Sequence, residues 1–313
     1  MNRAPTPQRY LITGASGFIG HGLCQKLLAR GHHVTALDIR PPKQDHENLT
    51  FVEGSFTSLD ILWSVCAGAD CLIHLAASKF PKAAQQDPKA DIIENILGSF
   101  QLFEEARNAD VGKIIFASSG GAVYGNAVPV PIAESALTNP IGAYGISKLA
   151  IEKYLQLFGI QFGIETLSLR AANPYGPGQN IQNAQGALTT FCYKALSGAK
   201  IEVWGDGSIE RDYIYISDLT DAFVAAAERN TDAQVLNIGS GQGTSLNKLL
   251  EHIQKRCVAP LDVCYMPSRS FDVQQNYLNI EQAYAALGWR PQVLLDDGIS
   301  RTLDGMKSGF ETS

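Results

Sequence analysis

Tyr144 stands four residues ahead of Lys148 in Tyr144-Gly145-Ile146-Ser147-Lys148. On a helix, positions i and i+4 lie roughly 5–6 Å apart at Cβ, so the lysine ammonium can sit beside the phenol. A phenol titrates near about pH 10 and is a poor base at neutrality. A unit charge about 4 Å away, at an effective dielectric near 20, is worth on the order of 4 kcal/mol, or roughly three pK units. The pair therefore predicts a tyrosinate base at pH 7, with Lys148 as the residue that lowers its pKa. Surface helices often carry such a pair, so the chemistry needs a second signal.

That signal is the turn Thr13-Gly14-Ala15-Ser16-Gly17-Phe18-Ile19-Gly20. An apolar strand, Arg9 to Thr13, runs into it, helical periodicity follows from Phe18 to Arg30, and His33 to Asp38 is the next strand. The glycines thus lie inside a βαβ unit, the context a dinucleotide fingerprint requires. Their spacing, at 14, 17 and 20, is one residue longer between the first two than the common dehydrogenase pattern. Backbone N–H groups at such a helix N-terminus can approach a pyrophosphate, which makes Gly14, Ser16, Gly17, Phe18, Ile19 and Gly20 candidate cofactor contacts. Asp38 ends the second strand 18 residues after Gly20, where a carboxylate accepts both ribose hydroxyls and repels a 2′-phosphate. NAD is the expected cofactor. Arg40 is the argument for NADP, since a guanidinium there could hold that phosphate.

The βα pattern repeats through strands Leu49–Glu53, 71–77 and 113–117, with helices around 59–67 and 91–109. This predicts an α/β fold with a doubly wound parallel sheet. Ligands of such sheets bind beyond the carboxyl ends of the strands, where Ala76, Ala77, Ser118 and Ser119 fall. The 313 residues are 45% apolar and 18% charged, which fits a globular protein of two lobes. Net charge is −6, without a basic run to follow a nucleic acid, and no apolar run reaches the roughly 18 residues of a membrane span. Met1 to Gln8 is polar and carries two prolines. These features predict a cytoplasmic enzyme with a short N-terminal tail and neither nucleic-acid nor membrane partners. The six cysteines are scattered without metal spacing and read as buried thiols, so no metal is expected.

At this point the chain resembles the extended short-chain dehydrogenase/reductase family, in its branch of nucleotide-sugar epimerases and dehydratases. The resemblance covers nearly the whole length. It is carried by Thr13 to Gly20, His74-Leu75-Ala76-Ala77, Asn95 with Gly98, Ser118-Ser119 before Val123-Tyr124-Gly125, Tyr144 with Lys148, Arg170 to Gly178, Trp204 to Gly207, Arg211-Asp212-Tyr213 and Leu287-Gly288-Trp289. The stretch His74 to Pro88 is most similar to the UDP-galactose 4-epimerases, where Lys79 falls on a lysine that contacts the cofactor. The resemblance implies that Tyr144 is the acid/base, that Lys148 lowers its pKa and binds the nicotinamide ribose, and that a Ser or Thr near position 120 partners the sugar hydroxyl. It also implies a homodimer in which the helix of Tyr144 and Lys148 packs on its twin, and Leu149, Leu155 and Phe158 are apolar positions that allow this.

The sequence departs from the family at Gly120, where the usual Ser or Thr would stand. Either Ser119 takes the role, or Ser118 or a water does. Gly121 and Ala122 follow, where the dehydratases carry an acid pair and the decarboxylases a Glu, so elimination and decarboxylation are disfavoured. The two glycines suggest room beside the sugar for a group such as N-acetyl.

After strand 165–170, the hinge Asn173-Pro174-Tyr175-Gly176-Pro177-Gly178 opens a second lobe. The division is an NAD-binding domain over 1–172 and a nucleotide-sugar-binding domain over 173–313, with part of 212–240 packing back on the first. A nucleoside diphosphate needs planar cations and an apolar shelf. Arg211 and Arg269 are candidates for the diphosphate with Asn173 donating an amide, Asp272 for the nucleoside hydroxyls, and Trp204 with Leu188 for the shelf under the base. The expectation is a Rossmann sheet binding NAD and a smaller α/β lobe closing over a UDP- or dTDP-sugar. The expected reaction is 4-epimerisation through a 4-keto intermediate, with a 4-ketoreductase or dehydrogenase as the alternative on the same residues. An NAD-binding redox sensor without catalysis is disfavoured by the intact Tyr144 and Lys148.

Overall fold

The computed structural model describes residues 7–78, 81–126, 129–179, 186–268 and 273–310; Lys79, Arg269 and Asp272 lie outside the described residues. Short β-branched and apolar segments bounded by turns form the first strands: β1 (Arg9–Thr13), β2 (His33–Asp38), β3 (Leu49–Glu53), β4 (Cys71–His74), β5 (Lys113–Ser119) and β6 (Glu165–Ala171). The second half adds β7 (Asn173–Tyr175), β8 (Ile201–Trp204), β9 (Glu210–Arg211), β10 (Tyr213–Tyr215), β11 (Val235–Ile238), β12 (Thr244–Ser245), β13 (Val263–Met266) and β14 (Gln275–Asn276). Seven of these pair in the order β3-β2-β1-β4-β5-β6-β11, every pair parallel. The crossovers force all seven carboxyl ends to one edge, and β11 reaches that sheet from beyond the hinge.

Strand alternation divides the core in two. Tyr10 and Ile12 of β1 pack on one face of the sheet and Leu11 on the other. The first face is covered by α1 (Phe18–Ala29), and the opposite face by α2 (Leu59–Cys66). The chain then forms α3 (Pro81–Gln86) and α4 (Pro88–Asp91), a π-helical turn at Ile92–Leu97, α5 (Gly98–Asn108) and α6 (Ala143–Phe162), with α5 and α6 on the face of α2. Later come α7 (Ala187–Ser197), α8 (Ile216–Glu228), α9 (Leu246–Gln254), α10 (Glu281–Leu287) and α11 (Leu295–Phe310). Helices α8 and α10 join α1 on the first face, while α7, α9 and α11 pack with β8 and β10 around a separate core in the C-terminal lobe. Both faces of a parallel sheet are thereby sealed, as its continuous apolar strands demand. No helix among the described residues is long and apolar enough to cross a membrane.

Three expectations are corrected here. The strand expected to run to Ala77 ends at His74, and the helix expected over 91–109 is α4, a wide turn and α5 in succession. The apolar positions assigned to a dimer face point inward: Leu155 and Phe158 are buried in the core and Leu149 packs against it. The outer face of α6 carries Ile146, Leu157 and Ile160 instead, beside exposed Ile92, Ile93 and Leu97 of the π turn.

A buried ion pair ties this face to the sheet. Glu152 on α6 receives Arg170 Nε at 3.0 Å and Nη2 at 2.7 Å, and the Ser118 hydroxyl at 2.5 Å. Arg170 also donates to the Tyr124 hydroxyl at 3.0 Å, which in turn donates to Asn237 Oδ1 at 2.6 Å. Removing one partner of such a pair leaves an uncompensated buried charge. Arg170→Leu is expected to lower unfolding free energy by about 3–5 kcal/mol in urea denaturation; a loss near zero would mean that the pair contributes nothing to the fold.

Candidate active site

The glycine turn is built by close approach. Gly14 has φ +73°, and a Cβ there would stand 2.9 Å from Ala76 N. A Cβ on Gly20 would stand 2.2 Å from Gly14 O, so the first turn of α1 presses directly on the loop. No side chain caps α1 and no acidic residue occupies its first turn, which leaves its amides and positive dipole end to an anion. Asp38, buried at the end of β2, accepts Ser16 N–H at 3.0 Å and Arg40 N–H at 3.1 Å. A carboxylate has acceptor capacity beyond these two bonds, so the group that would meet the adenosine ribose is held in place with lone pairs to spare. These residues fit a dinucleotide: Gly14, Ser16, Gly17, Phe18, Ile19, Gly20 and Asp38 form one cradle, with Ala76 and Ala77 beside it.

His74 braces this cradle from below. Its Nδ1 accepts from Thr13 Oγ1 at 2.7 Å, and its Nε2 lies 2.9 Å from Ser99 Oγ, which donates to Asn95 O at 2.5 Å. Ser99 must therefore accept from the ring, which fixes the neutral Nε2–H tautomer. Burial, with the Lys148 charge second, holds the imidazole down to about 3. Asn95, expected at the cofactor, has its amide engaged within the protein: Oδ1 accepts Ser78 N–H at 2.9 Å and Nδ2 donates to Asp91 at 2.7 Å.

At the carboxyl end of β5 the two serines separate. The Ser119 hydroxyl lies close enough to the Tyr144 phenol to favour its ionisation, whereas Ser118 is buried and turned to Glu152. Ser118 is thus corrected from a sugar contact to part of the ion-pair network, because strand alternation points neighbouring side chains to opposite faces. Gly120 is corrected as well. A Cβ there would lie 2.6 Å from Leu278 Cδ1 and 3.1 Å from Arg170 O, so the space of the usual Ser or Thr is filled. A Cβ on exposed Gly121 would meet only Ser119 Oγ and Asn173 Oδ1, each at an ordinary contact distance of 3.9 Å, so room does adjoin it.

Lys148 is buried, donates to Ala117 O at 2.8 Å, and lies 4.6 Å from the Phe116 ring and 5.6 Å from the Tyr144 ring centre. Burial lowers its ammonium to about 8, against the charges of Asp91 and Glu152. Tyr144 does not show the expected depression in the ligand-free chain. Burial, with Asp91 second, pushes its phenol up to about 12, and the nearby Ser119 hydroxyl opposes them. The lysine donates to a carbonyl and lies over the Phe116 and Tyr144 rings. Asp91, unsuspected from the sequence, carries the only trace of a signal in standing four residues before Asn95.

In the second lobe Trp204 ends β8 with 36% of its surface exposed, and the next residues, Gly205 and Asp206, line an open groove of about 490 Å³ with Ser208, Met266 and Gln274 among others. Leu188, expected beside it, is sealed in the lobe's core. Arg211 donates to the carbonyls of Glu210 and Val273 at 2.8 and 2.7 Å. Asn173 donates to Asp212 O at 2.8 Å, leaving its Oδ1 toward Gly121.

Residues 10–239 match the model of the NAD dependent epimerase/dehydratase family. The chain belongs to that family. Its cofactor is NAD. It is 36% identical over 306 residues to the UDP-glucose 4-epimerase of Mycolicibacterium smegmatis, covering 95% of this chain and 97% of that one. It is 33% identical to an Escherichia coli dTDP-4-dehydro-6-deoxyglucose reductase, covering 95% and 97%. The crystal structure of Thermotoga maritima UDP-glucose 4-epimerase with UDP-glucose superposes with TM-score 0.91 at 32% identity, covering 96% of this chain and 99% of that one.

His74 supplies a test of the cradle. Its pKa is about 3 in the folded protein and roughly 6.5 when unfolded, so the unfolded state binds the extra proton below pH 6.5. The stability this histidine contributes is complete above that pH and is lost as pH falls toward 3. Between pH 7 and 4 the loss is on the order of 3 kcal/mol. His74→Gln cannot protonate, and its urea stability relative to wild type is expected to gain by that amount over the interval; parallel curves would contradict the buried neutral ring.

Proposed function

We propose that this chain is an NAD-dependent epimerase acting at C4 of a nucleotide-diphosphate hexose of the UDP-glucose/galactose type, through a 4-keto intermediate. The observation that carries the reading is the joining of Ser119, Tyr144 and Lys148 at one sheet edge beside the glycine turn, next to the open space at Gly121. That cluster can move one proton and hold one alcohol oxygen. Gly121 and Ala122, in the place of the dehydratases' acid pair, give no group for eliminating water.

In the proposed cycle Tyr144, as phenolate, takes the proton of the 4′-hydroxyl while Ser119 holds that oxygen. Lys148, charged and anchored on Ala117 O, stabilises the phenolate and offers its ammonium to the nicotinamide ribose. NAD, when bound, supplies the hydride acceptor and a positive charge. That added charge matters, because burial and Asp91 hold the phenol near 12 in the ligand-free chain. The 4-keto sugar then turns within the site. Tyr144 returns its proton to the 4′-oxygen as the alcohol re-forms with inverted configuration, so the conversion has no net redox change and a bound NAD would not be consumed. Asn173, Trp204 and Arg211 are the described residues proposed to meet the nucleotide, with Arg269 and Asp272 completing the set.

Proton NMR of the purified protein with a panel of UDP- and dTDP-hexoses, without added cofactor, is expected to show the C4′ epimer growing in. Tyr144→Phe is expected to slow this by about 10²–10⁴-fold, and full turnover by that variant would remove Tyr144 from the mechanism. Conversion that appears only with NADH and a 4-keto sugar would instead favour a reductase, the activity of the E. coli relative.

The outer face of α6 supports a homodimer. Ile146, Leu157 and Ile160 fall on one stripe of the helix, beside Ile92, Ile93 and Leu97, and Ile160 is 74% exposed. Sedimentation equilibrium is expected to give a dimer that Ile160→Glu dissociates; a wild-type monomer at micromolar concentration would end that proposal.

A further inference from the structure

The Tyr144–Lys148 motif does not account for the carboxylate buried with it. Asp91 closes α4 and is 1% exposed. Its Oδ1 accepts Asn95 Nδ2 at 2.7 Å, and its Oδ2 accepts the hydroxyl of Ser147, which stands on α6 immediately before Lys148. Both oxygens receive hydrogen bonds, the pattern of an ionised carboxylate.

Its placement is held from three sides. The chain leaves α4 at Asp91 and enters the π turn, and such turns recur where a helix must re-aim side chains at a functional site. Asn95, within that turn, links Asp91 to the loop after β4 through Ser78, and Ser99 closes onto Asn95 O. Ser147 links Asp91 to the helix of Tyr144 and Lys148.

Among the described residues, each charged or titratable neighbour named for the pair other than Asp91 is paired or neutral. From α6, Glu152 is bound by Arg170 of β6. From β4, His74 is neutral. From β5 come Phe116, Ala117 O and Ser119, all uncharged. What is left is the Asp91 carboxylate, buried and bonded to Ser147 one residue from Lys148, whose negative charge favours the ammonium and disfavours a phenolate at Tyr144.

We propose that Asp91 is a positioning residue, the counter-ion of the Tyr144–Lys148 pair, which keeps Lys148 in its ammonium form inside the protein and withholds ionisation from Tyr144 until positive charge enters the site. Both effects have one cause, so removing the charge has a signature that a strut lacks. Lysine-ε-¹³C NMR titration of the ligand-free protein, with the Lys148 signal assigned through Lys148→Arg, is expected to show its midpoint falling by about one pH unit or more in Asp91→Asn. Asp91→Glu, which keeps the charge, is expected to restore most of that shift. Ser147→Ala, which removes a hydrogen bond but not the charge, is expected to leave the midpoint in place. Should Asp91→Asn fail to fold, Asp91→Ser makes the same comparison. An unchanged Lys148 midpoint in the neutral variant would overturn the proposal.

The kinetic arm rests on the epimerase reading. There, Asp91→Asn is expected to move both limbs of the kcat profile toward lower pH together, since the base must lose and the lysine must keep a proton. A uniform fall in kcat with both limbs fixed would reduce Asp91 to a strut. The lysine titration needs no sugar, so a protein that epimerises nothing yet shows the Asp91-dependent shift would sink the epimerase reading and leave this one standing.

Discussion

Burying a lysine ammonium beside a phenol is the constraint on which the rest of this structure depends. An ion removed from water is strongly unfavourable unless charge and hydrogen bonds replace its hydration. Lys148 is met by a carbonyl, two aromatic faces and the nearby charges of Asp91 and Glu152. Glu152 in turn is held by Arg170, and Arg170 by Tyr124. Two cations and two anions share one interior, Lys148 and Glu152 on α6, Asp91 on α4 and Arg170 on β6.

The parallel sheet supplies the rigid frame that this charge balance requires. Crossovers bring every strand's carboxyl end to one edge, so the glycine turn after β1 and Ser119 at the end of β5 lie along the same edge. His74 on β4, between those strands, ties Thr13 of the turn to the π turn through a neutral ring. Cofactor cradle and acid/base pair are therefore joined by hydrogen bonds beneath the cleft, and dipoles set before any ligand arrives need no rearrangement during reaction.

Some elements were legible because local pattern and local geometry agree. The strands β1, β2 and β3 match their expected bounds, since a turn residue or a change of period marks their ends. The strand at Cys71 was read too long, as its apolar run continues past His74 while the backbone leaves the sheet to meet Gly14. The helix expected over 91–109 kept its periodicity, but the wide winding at Ile92–Leu97 follows from bonds to Ser78 and Ser147, which no local pattern records. The two-residue strands β9, β12 and β14 are too short to carry a period at all.

The site divides in the same way. Residue type and spacing by themselves determined the chemistry on offer: a phenol with a lysine one turn away, glycines at a helix start, an acid at the end of the second strand. Which serine faces the phenol, whether Gly120 leaves room, and how readily Tyr144 ionises were decided only by tertiary structure. Leu278 fills the space at Gly120 from far along the chain, and Asp91 and burial govern the phenol from another helix. Desolvation, steric exclusion and Coulomb interaction act through space, so a side chain's partners in folding, not its neighbours in sequence, determine its ionisation and its reach.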